Sequence, residues 1–79
     1  MARVRLFAQA REAAGTTEAM VPGATVAEVI ARAEQLWGPH FAAVVARSKV
    51  WCNGEEVRAD HPVGDNDEVA VLPPVSGGA

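Results

Sequence analysis

The sequence predicts an α+β domain in which a mixed β-sheet packs against one main helix. Segments with the two-residue periodicity of strands occur near both ends of the chain. A segment between them has the apolar spacing of an amphipathic helix. Turn signals rich in glycine, proline and asparagine separate these segments. The predicted order is therefore a hairpin, a helix, two short strands and a final strand.

The first predicted strand covers residues 3–8 and has two different faces. One face, expected in the core, carries Val4, Leu6 and Ala8. The opposite face carries Arg3, Arg5 and Phe7. A turn or short helical piece over residues 9–14 ends at Gly15, and a second strand over residues 16–21 completes a hairpin.

The main helix is predicted to begin at a capping box. Thr25 is followed three residues later by Glu28, and side chains with this spacing satisfy two backbone donors at a helix start. One apolar stripe then follows at spacings of three and four: Val26, Val29, Ile30, Ala33, Leu36 and Trp37. Gly38-Pro39 ends the helix. For residues 40–47 the sequence allows two interpretations, a loop or a short second helix.

Three further strands are predicted in the second half of the chain. Residues 49–52 and 55–58 flank Asn53-Gly54, which is typical of a two-residue turn whose central residues both have positive φ. The last strand covers residues 68–72. This order of elements is that of a β-grasp domain, in which the first and last strands lie side by side and parallel, joined by a right-handed crossover.

Length and composition limit the classes of function. The length of 79 residues predicts one domain over residues 1–73 and a flexible tail over residues 74–79. A domain of this size is too small to enclose a deep substrate pocket of its own. The net charge of −3 and the scattered basic residues argue against nucleic-acid binding, and no apolar run suits a membrane span. A single cysteine, Cys52, makes the cytoplasm the expected compartment and is expected to be a packed thiol. The two histidines and one cysteine do not form a metal site.

The tail has an unusual composition, running Pro73-Pro74-Val75-Ser76-Gly77-Gly78-Ala79. A double proline is stiff and projects the last residues of the chain away from the domain. Glycine has no Cβ and can enter a slot too narrow for other residues. A free carboxylate on such an arm can be activated as an acyl-adenylate and converted by a sulfur nucleophile into a thiocarboxylate. The alternative is a frayed terminus with no chemistry.

Two segments of the chain resemble a known family. Residues 4–15 read Val-Arg-Leu-Phe-Ala-Gln-Ala-Arg-Glu-Ala-Ala-Gly, and residues 60–78 hold an acidic turn, a valine strand, a double proline and a double glycine in register. Both resemble the MoaD/ThiS family of ubiquitin-like sulfur carriers, in particular its MoaD branch, the small subunits of molybdopterin synthase. Together they make up 31 of the 79 residues, at the correct ends of the chain.

The resemblance implies a sulfur-transfer cycle centred on Gly77 and Gly78. An E1-like adenylating enzyme, similar to MoeB, would use ATP to activate the terminal glycine, on which sulfur is then installed. The tail would enter a large synthase subunit similar to MoaE, where the sulfur passes to cyclic pyranopterin monophosphate. The chain itself would bind no cofactor and would not be catalytic on its own.

An apolar partner surface is predicted near the tail. Phe7 and Leu72 both face away from the core residues of their strands, so neighbouring first and last strands would join them in one outward patch. The alternative is that a flanking loop covers them. Arg11, in the opening motif, is either a partner contact or part of a solvated charge pair with Glu12. The predicted partner-binding set is completed by Pro73, Pro74 and Val75.

Ala79 departs from the family pattern because it makes Gly78 an internal amide. Removal by a protease, an expression-derived residue and direct use of Ala79 are three explanations. Direct use moves the reactive carbon by about 3.3–3.6 Å, which exceeds the tolerance of a positioned reaction. Gly78 after loss of Ala79 is therefore the expected sulfur carrier. A carrier for thiamine or cysteine synthesis, and an interaction module or protein modifier without sulfur chemistry, stay open as alternatives.

Overall fold

The fold was analysed in a computed structural model, which describes residues 1–74. These residues form five strands and three helices, which are numbered along the chain. The elements are β1 Ala2–Leu6, α1 Ala8–Ala14, β2 Glu18–Val21, α2 Val26–Trp37, α3 Pro39–Val45, β3 Lys49–Cys52, β4 Glu55–Glu56 and β5 Glu68–Leu72. Within the described part of the chain, no helix is both long and apolar enough to cross a membrane.

The strands form one mixed sheet in the order β2-β1-β5-β3-β4. β1 and β5 are parallel, with Val4 opposite Val69 and Leu6 opposite Val71, and the other neighbours are antiparallel. The first and last strands are therefore adjacent, and the predicted β-grasp fold is confirmed.

One face of the sheet is covered by helices, and the core lies between them. The strands contribute alternate residues, which gives β1 its strict buried-exposed pattern. Buried side chains from the sheet include Ala2, Val4, Leu6, Val21, Val69 and Val71. Those from the helices are Ala10, Val26, Val29, Ala33, Phe41 and Val44. Among the described residues no polar or charged side chain is buried, so the core is held together by apolar packing.

The first strand ends earlier than its alternation predicts. β1 stops at Leu6, and Phe7 is the N-cap of α1 with extended backbone. Ala8 has a φ of 51° and is exposed, so its predicted place in the core is wrong, and Ala2 extends the buried row instead. The helical alternative for residues 9–14 is correct, and Gly15 closes α1 in the left-handed region.

The start of α2 is capped as the sequence predicts, with one difference. The Thr25 hydroxyl accepts a hydrogen bond of 3.2 Å from the Glu28 N–H. The Glu28 carboxylate accepts from the N–H of Ala24 at 2.9 Å, one residue before the cap, rather than from that of Thr25. The two side chains therefore still satisfy two backbone donors.

A loop that follows β4 satisfies two further donors of this helix start. The N–H of Val26 donates to the carbonyl of His61 at 3.0 Å, and that of Ala27 donates to the carbonyl of Ala59 at 2.8 Å. Isolated helix N-termini leave such groups to water. The loop is thereby fixed against α2, even though it has little regular structure of its own.

The apolar stripe of α2 is correct except at its last turn. Trp37 carries the stripe onto α3, where its ring packs edge-to-face on Phe41 with centroids 4.9 Å apart. Leu36, the preceding residue, is 63% exposed, so its predicted burial is wrong. Gly38, with a φ of 89°, lets α3 begin directly at Pro39, and α3 covers Trp37 rather than Leu36.

The second hairpin has the predicted turn and a shorter returning strand. Asn53 and Gly54 both have positive φ, 51° and 87°. β4 ends at Glu56, whereas the sequence predicts a strand to Arg58. The chain leaves the sheet because residues 59–61 supply the carbonyls that close the start of α2.

A carboxylate holds the turn before β5 in place. Asp67 accepts hydrogen bonds from the N–H of Gly64 at 2.7 Å and from the side-chain amide of Asn53 at 2.9 Å. The Asn53 carbonyl oxygen in turn accepts from the N–H of Glu68 at 3.0 Å. The Gly64 bond first, and the Asn53 bond second, lower the pKa of Asp67 below its usual value.

Protonation of Asp67 should therefore cost stability. Its pKa is lower in the folded state than in the unfolded chain, so its contribution is present above the unfolded pKa and is lost as pH falls through the folded value. The Asp67→Asn variant should be less stable at pH 7 and should lose less stability than the parent between about pH 5 and pH 2. Urea unfolding across this range measures both effects.

Asp60→Asn is the matched control, because the Asp60 side chain is exposed and makes no hydrogen bond or ion pair with the described residues. Identical acid profiles for the parent and the Asp67→Asn protein would contradict the assigned role of this carboxylate.

Candidate functional site

The structure describes only the beginning of the predicted tail, and residues 72–74 are called the base of the tail below. β5 ends at Leu72, which lies opposite Lys49 of β3. Pro73 is half-buried and Pro74 is exposed, so the described chain ends at the domain surface. The other predicted tail residues lie outside the described residues: Val75, Gly77, Gly78 and Ala79.

The tail follows the most constrained strand of the sheet. β5 pairs with β1 on one side and β3 on the other, and Val71 lies opposite both Leu6 and Val50. Val69 and Val71 are completely buried. A strand bonded on both sides and anchored in the core resists local opening, so the base of the tail has a fixed position on the domain.

An apolar patch surrounds this position on the face of the sheet that the helices leave uncovered. Leu72 and Ala70 are half-buried there, and Trp51 lies opposite Ala70 on β3. Leu6 lies opposite Val71, and the next residues along the two chains, Phe7 and Leu72, are therefore neighbours. The Phe7 side chain is 37% exposed. The outer-face patch therefore consists of Phe7, Trp51, Ala70 and Leu72.

Charged side chains beside the outer-face patch are arranged in pairs. The Arg5 guanidinium lies 5.6 Å from the centre of the Phe7 ring and 3.7 Å from the Glu68 carboxylate. Lys49 lies 3.8 Å from Glu56. Exposed pairs like these contribute only about 0–1 kcal/mol each, so their main effect is on the charge around the patch, which they neutralise.

Arg11 lies one turn of α1 beyond Phe7. Its backbone N–H donates to the carbonyl of Phe7 at 3.4 Å, and its side chain is exposed. Within residues 1–74 its guanidinium is not within ion-pair distance of Glu12 or of another carboxylate, and its role as a partner contact stays a prediction.

Sequence reasoning places Phe7 and Leu72 in this patch but misses Trp51 and Ala70. Burial of Cys52 signals that Trp51 faces outward, because successive strand residues point to opposite faces. The contact with Ala70, however, depends on which strand pairs with β3. That pairing joins residues far apart in sequence and has no local signal.

The folded domain offers no exposed nucleophile of the cysteine type among the described residues. Cys52 is 3% exposed on the core side of β3. Burial, together with the nearby Asp67 charge, raises the pKa of its thiol. The described residues also contain no cluster of His, Cys, Asp and Glu suited to a metal ion.

Known proteins resemble this chain over its whole length. The model of the ThiS family matches residues 4–78, which include both tail glycines. The chain is 38% identical over 82 residues to the molybdopterin synthase sulfur carrier subunit of Escherichia coli (strain K12), covering 99% of this chain and 100% of that protein.

Two solved structures show the same fold. The solution structure of the small archaeal modifier protein 1 from Methanosarcina acetivorans has a TM-score of 0.87 and 30% identity, with 98% of this chain and 95% of that chain covered. A chain in the crystal structure of the Amycolatopsis orientalis BexX/CysO complex has a TM-score of 0.83 and 28% identity, with 99% and 100% covered.

The Cys52 thiol should react slowly while the domain is folded. Burial blocks reagents, and the raised pKa leaves less thiolate at pH 8. Modification by a disulfide reagent should be at least about tenfold slower in buffer than in denaturing urea, because it requires opening of the sheet. Release of the coloured thiol measures the rate, with free cysteine in both solutions as the control. Equal rates for Cys52 in buffer and urea would show that the thiol is accessible.

Proposed function

The chain belongs to the ThiS family, and on that premise we propose that it carries sulfur as a thiocarboxylate on Gly78 for the synthesis of molybdopterin. The observation that carries the proposal is the 38% identity, over the full length of both chains, to the Escherichia coli molybdopterin synthase sulfur carrier subunit. The diglycine at residues 77–78 supports it, because its lack of side chains suits a narrow active-site channel.

The proposed chemistry begins at the carboxylate of Gly78. A carboxylate oxygen attacks the α-phosphorus of ATP, pyrophosphate leaves, and an acyl-adenylate forms. Hydrosulfide then attacks the acyl carbon and AMP leaves, so the product is a thiocarboxylate. The first step needs a free carboxyl group on Gly78, and the second uses the adenylate formed from it, so the proposed reactive form is the one in which Gly78 is terminal.

The proposed partners are an E1-like adenylating enzyme similar to MoeB and a large synthase subunit similar to MoaE. Each has to hold the domain while the tail reaches an active site. The outer-face patch suits this role, because it is apolar, lies at the base of the tail and is flanked by charges that are already paired. Phe7, Leu72 and the exposed Arg11 are the proposed contacts, and the enzymes supply the catalytic groups.

A second candidate is a carrier or modifier in another pathway. The 30% identity to the small archaeal modifier protein 1 favours conjugation of the tail to other proteins, and the likeness to the BexX/CysO complex favours a carrier with other acceptors. These functions differ in the molecule that accepts the sulfur or the tail itself. A molybdopterin carrier converts cyclic pyranopterin monophosphate in the presence of the large subunit, whereas a modifier forms isopeptide bonds.

Sulfur loading should depend on the residue that ends the chain. With ATP, sulfide and the activating enzyme, and no protease, a chain ending at Gly78 should gain the mass difference between sulfur and oxygen. The chain that ends at Ala79 should not, because the added residue lengthens the arm by about 3.3–3.6 Å and brings a methyl group into a slot suited to glycine. Intact mass spectrometry measures the product.

A chain ending at Gly77 is the matched control for arm length, since it retains a terminal glycine. Equal loading of the chains that end at Gly78 and at Ala79 would contradict the assignment of Gly78 as the reactive residue.

The outer-face patch should contribute more to partner binding than to folding. Phe7→Glu or Leu72→Glu should weaken binding of the large subunit at least about tenfold, because a charge would be desolvated at the contact. The melting temperature should change little, since neither side chain is fully buried. Calorimetric binding and thermal unfolding measure the two effects.

Ala43→Glu is the matched control, because Ala43 is exposed and lies on α3, on the side of the sheet opposite the patch. A collapse of thermal stability with unchanged binding per folded molecule would show that the patch is part of the core instead.

A further inference from the structure

β2 is an edge of the sheet, and half of its backbone groups point away from the protein. Antiparallel strands alternate between residues that bond to the neighbour and residues that point outward. The N–H of Leu6 donates to the carbonyl of Thr17 at 2.9 Å, which identifies Thr17 as facing β1. By alternation along the register, Ala19 also faces β1, whereas the backbone groups of Glu18 and Met20 point outward.

Met20 offers a complete site for backbone pairing. Within residues 1–74, neither its N–H nor its carbonyl bonds outside the sheet ladder, and the ladder does not use them. The carbonyl of Glu18 is already engaged by the Thr16 hydroxyl at 3.0 Å. Pro22 follows the strand and has no N–H to offer. Two outward donors, the N–H groups of Glu18 and Met20, and one outward acceptor, the carbonyl of Met20, are therefore free to bond an added strand.

A groove of about 300 Å³ lies between this edge and the C-terminal half of α2. It is lined by Met20, Val21, Pro22, Arg32, Gln35 and Leu36. Met20 and Leu36 are 51% and 63% exposed and leave apolar surface uncovered next to the free backbone groups. A strand added at β2 would direct every second side chain into this groove.

The positive charge of the groove favours a binding segment with negative charge. Arg32 lines the groove, is exposed, and forms no ion pair with any residue in the described range. None of the lining residues is acidic. Glu18 and Met20 share the outer face of the sheet, and there the Glu18 carboxylate is paired with Arg3 at 3.5 Å. The carboxylate one helical turn before Arg32, that of Glu28, accepts a hydrogen bond from the N–H of Ala24 at 2.9 Å and is not within ion-pair distance of Arg32, so an acidic side chain of a partner can pair with Arg32.

We propose that the β2 edge binds an extended segment of a partner protein as a sixth strand. The segment has alternating apolar side chains for the groove and an adjoining Asp or Glu for Arg32. A second copy of this chain fits less well, because its own β2 brings a glutamate already paired with Arg3 and places a second arginine near the first.

This surface is separate from the outer-face patch. Met20 lies opposite Arg3 near the start of β1, whereas Phe7 follows the end of that strand. A partner on the β2 edge would therefore leave the base of the tail accessible. The proposal does not depend on the sulfur chemistry, and it fits a scaffold or recruiting protein that holds the carrier while other enzymes act on the tail.

The experiment titrates the full ¹⁵N-labelled chain with the peptide acetyl-Lys-Val-Thr-Val-Thr-Asp-Asp-Glu-amide, and with a version whose acidic block precedes the apolar core. Amide signals of residues 18–21 and 32–36 should shift at peptide concentrations up to about 1 mM. A matched peptide with lysines in place of the acidic residues should bind at least about tenfold more weakly.

Two protein variants test the two contacts separately. Met20→Pro removes the outward N–H of that residue, which the sheet does not use, and should abolish binding while the domain stays folded. Arg32→Glu should weaken binding at least about tenfold, and Arg58→Glu, also exposed, should leave it unchanged. Arg32→Glu and the lysine peptide remain informative if the proline variant does not fold.

Several results would overturn the proposal. They are the absence of shifts with both acidic peptides, shifts confined to the outer-face patch, or affinity that is unchanged in Arg32→Glu. Concentration-dependent shifts of residues 18–21 without any peptide would assign the edge to a second copy of the chain instead.

Discussion

The parallel pairing of β1 with β5 joins the two ends of the described chain, and most other features depend on it. Parallel neighbours cannot be linked by a tight turn, so the chain has to cross over the sheet, and α2 covers the core on the way. The same pairing brings Val4 against Val69 in the core. On the opposite face it brings Phe7 beside Leu72, where the tail begins. One register therefore sets the core, the outer-face patch and the starting point of the arm.

The loop between β4 and β5 shows how an irregular segment becomes part of such a small fold. Its first half supplies the carbonyls of Ala59 and His61 to the start of α2, and its second half is closed by Asp67. Each hydrogen bond contributes only about 1 kcal/mol net, but an unpaired buried group would cost more than that. The loop therefore couples the helix to β5, and disturbance at Asp67 is expected to reach the strand that carries the tail.

The two surfaces that we propose for partner binding lie away from the buried core. Cys52 is buried, and the charges beside the outer-face patch are paired, so this surface is apolar without being strongly charged. The β2 edge differs, because it combines free backbone groups with the unpaired Arg32. A carrier that several enzymes handle in turn gains from two such surfaces, since a partner held at one of them does not have to leave before the other is used.

Local chemistry in the sequence determined the elements, and long-range contacts decided where several of them end. The capping pair at the start of α2 and the Asn53-Gly54 turn were predictable because they depend on neighbouring residues and on allowed φ values. The early end of β4 and the exposure of Leu36 were not, because a distant loop caps α2 and α3 covers only one side of its last turn. Trp51 joins the patch for the same reason: its partner strand is chosen by the assembled sheet. Periodicity and turn chemistry act over a few residues, whereas register and burial are settled by apolar packing and hydrogen bonds between segments that meet only in the folded chain.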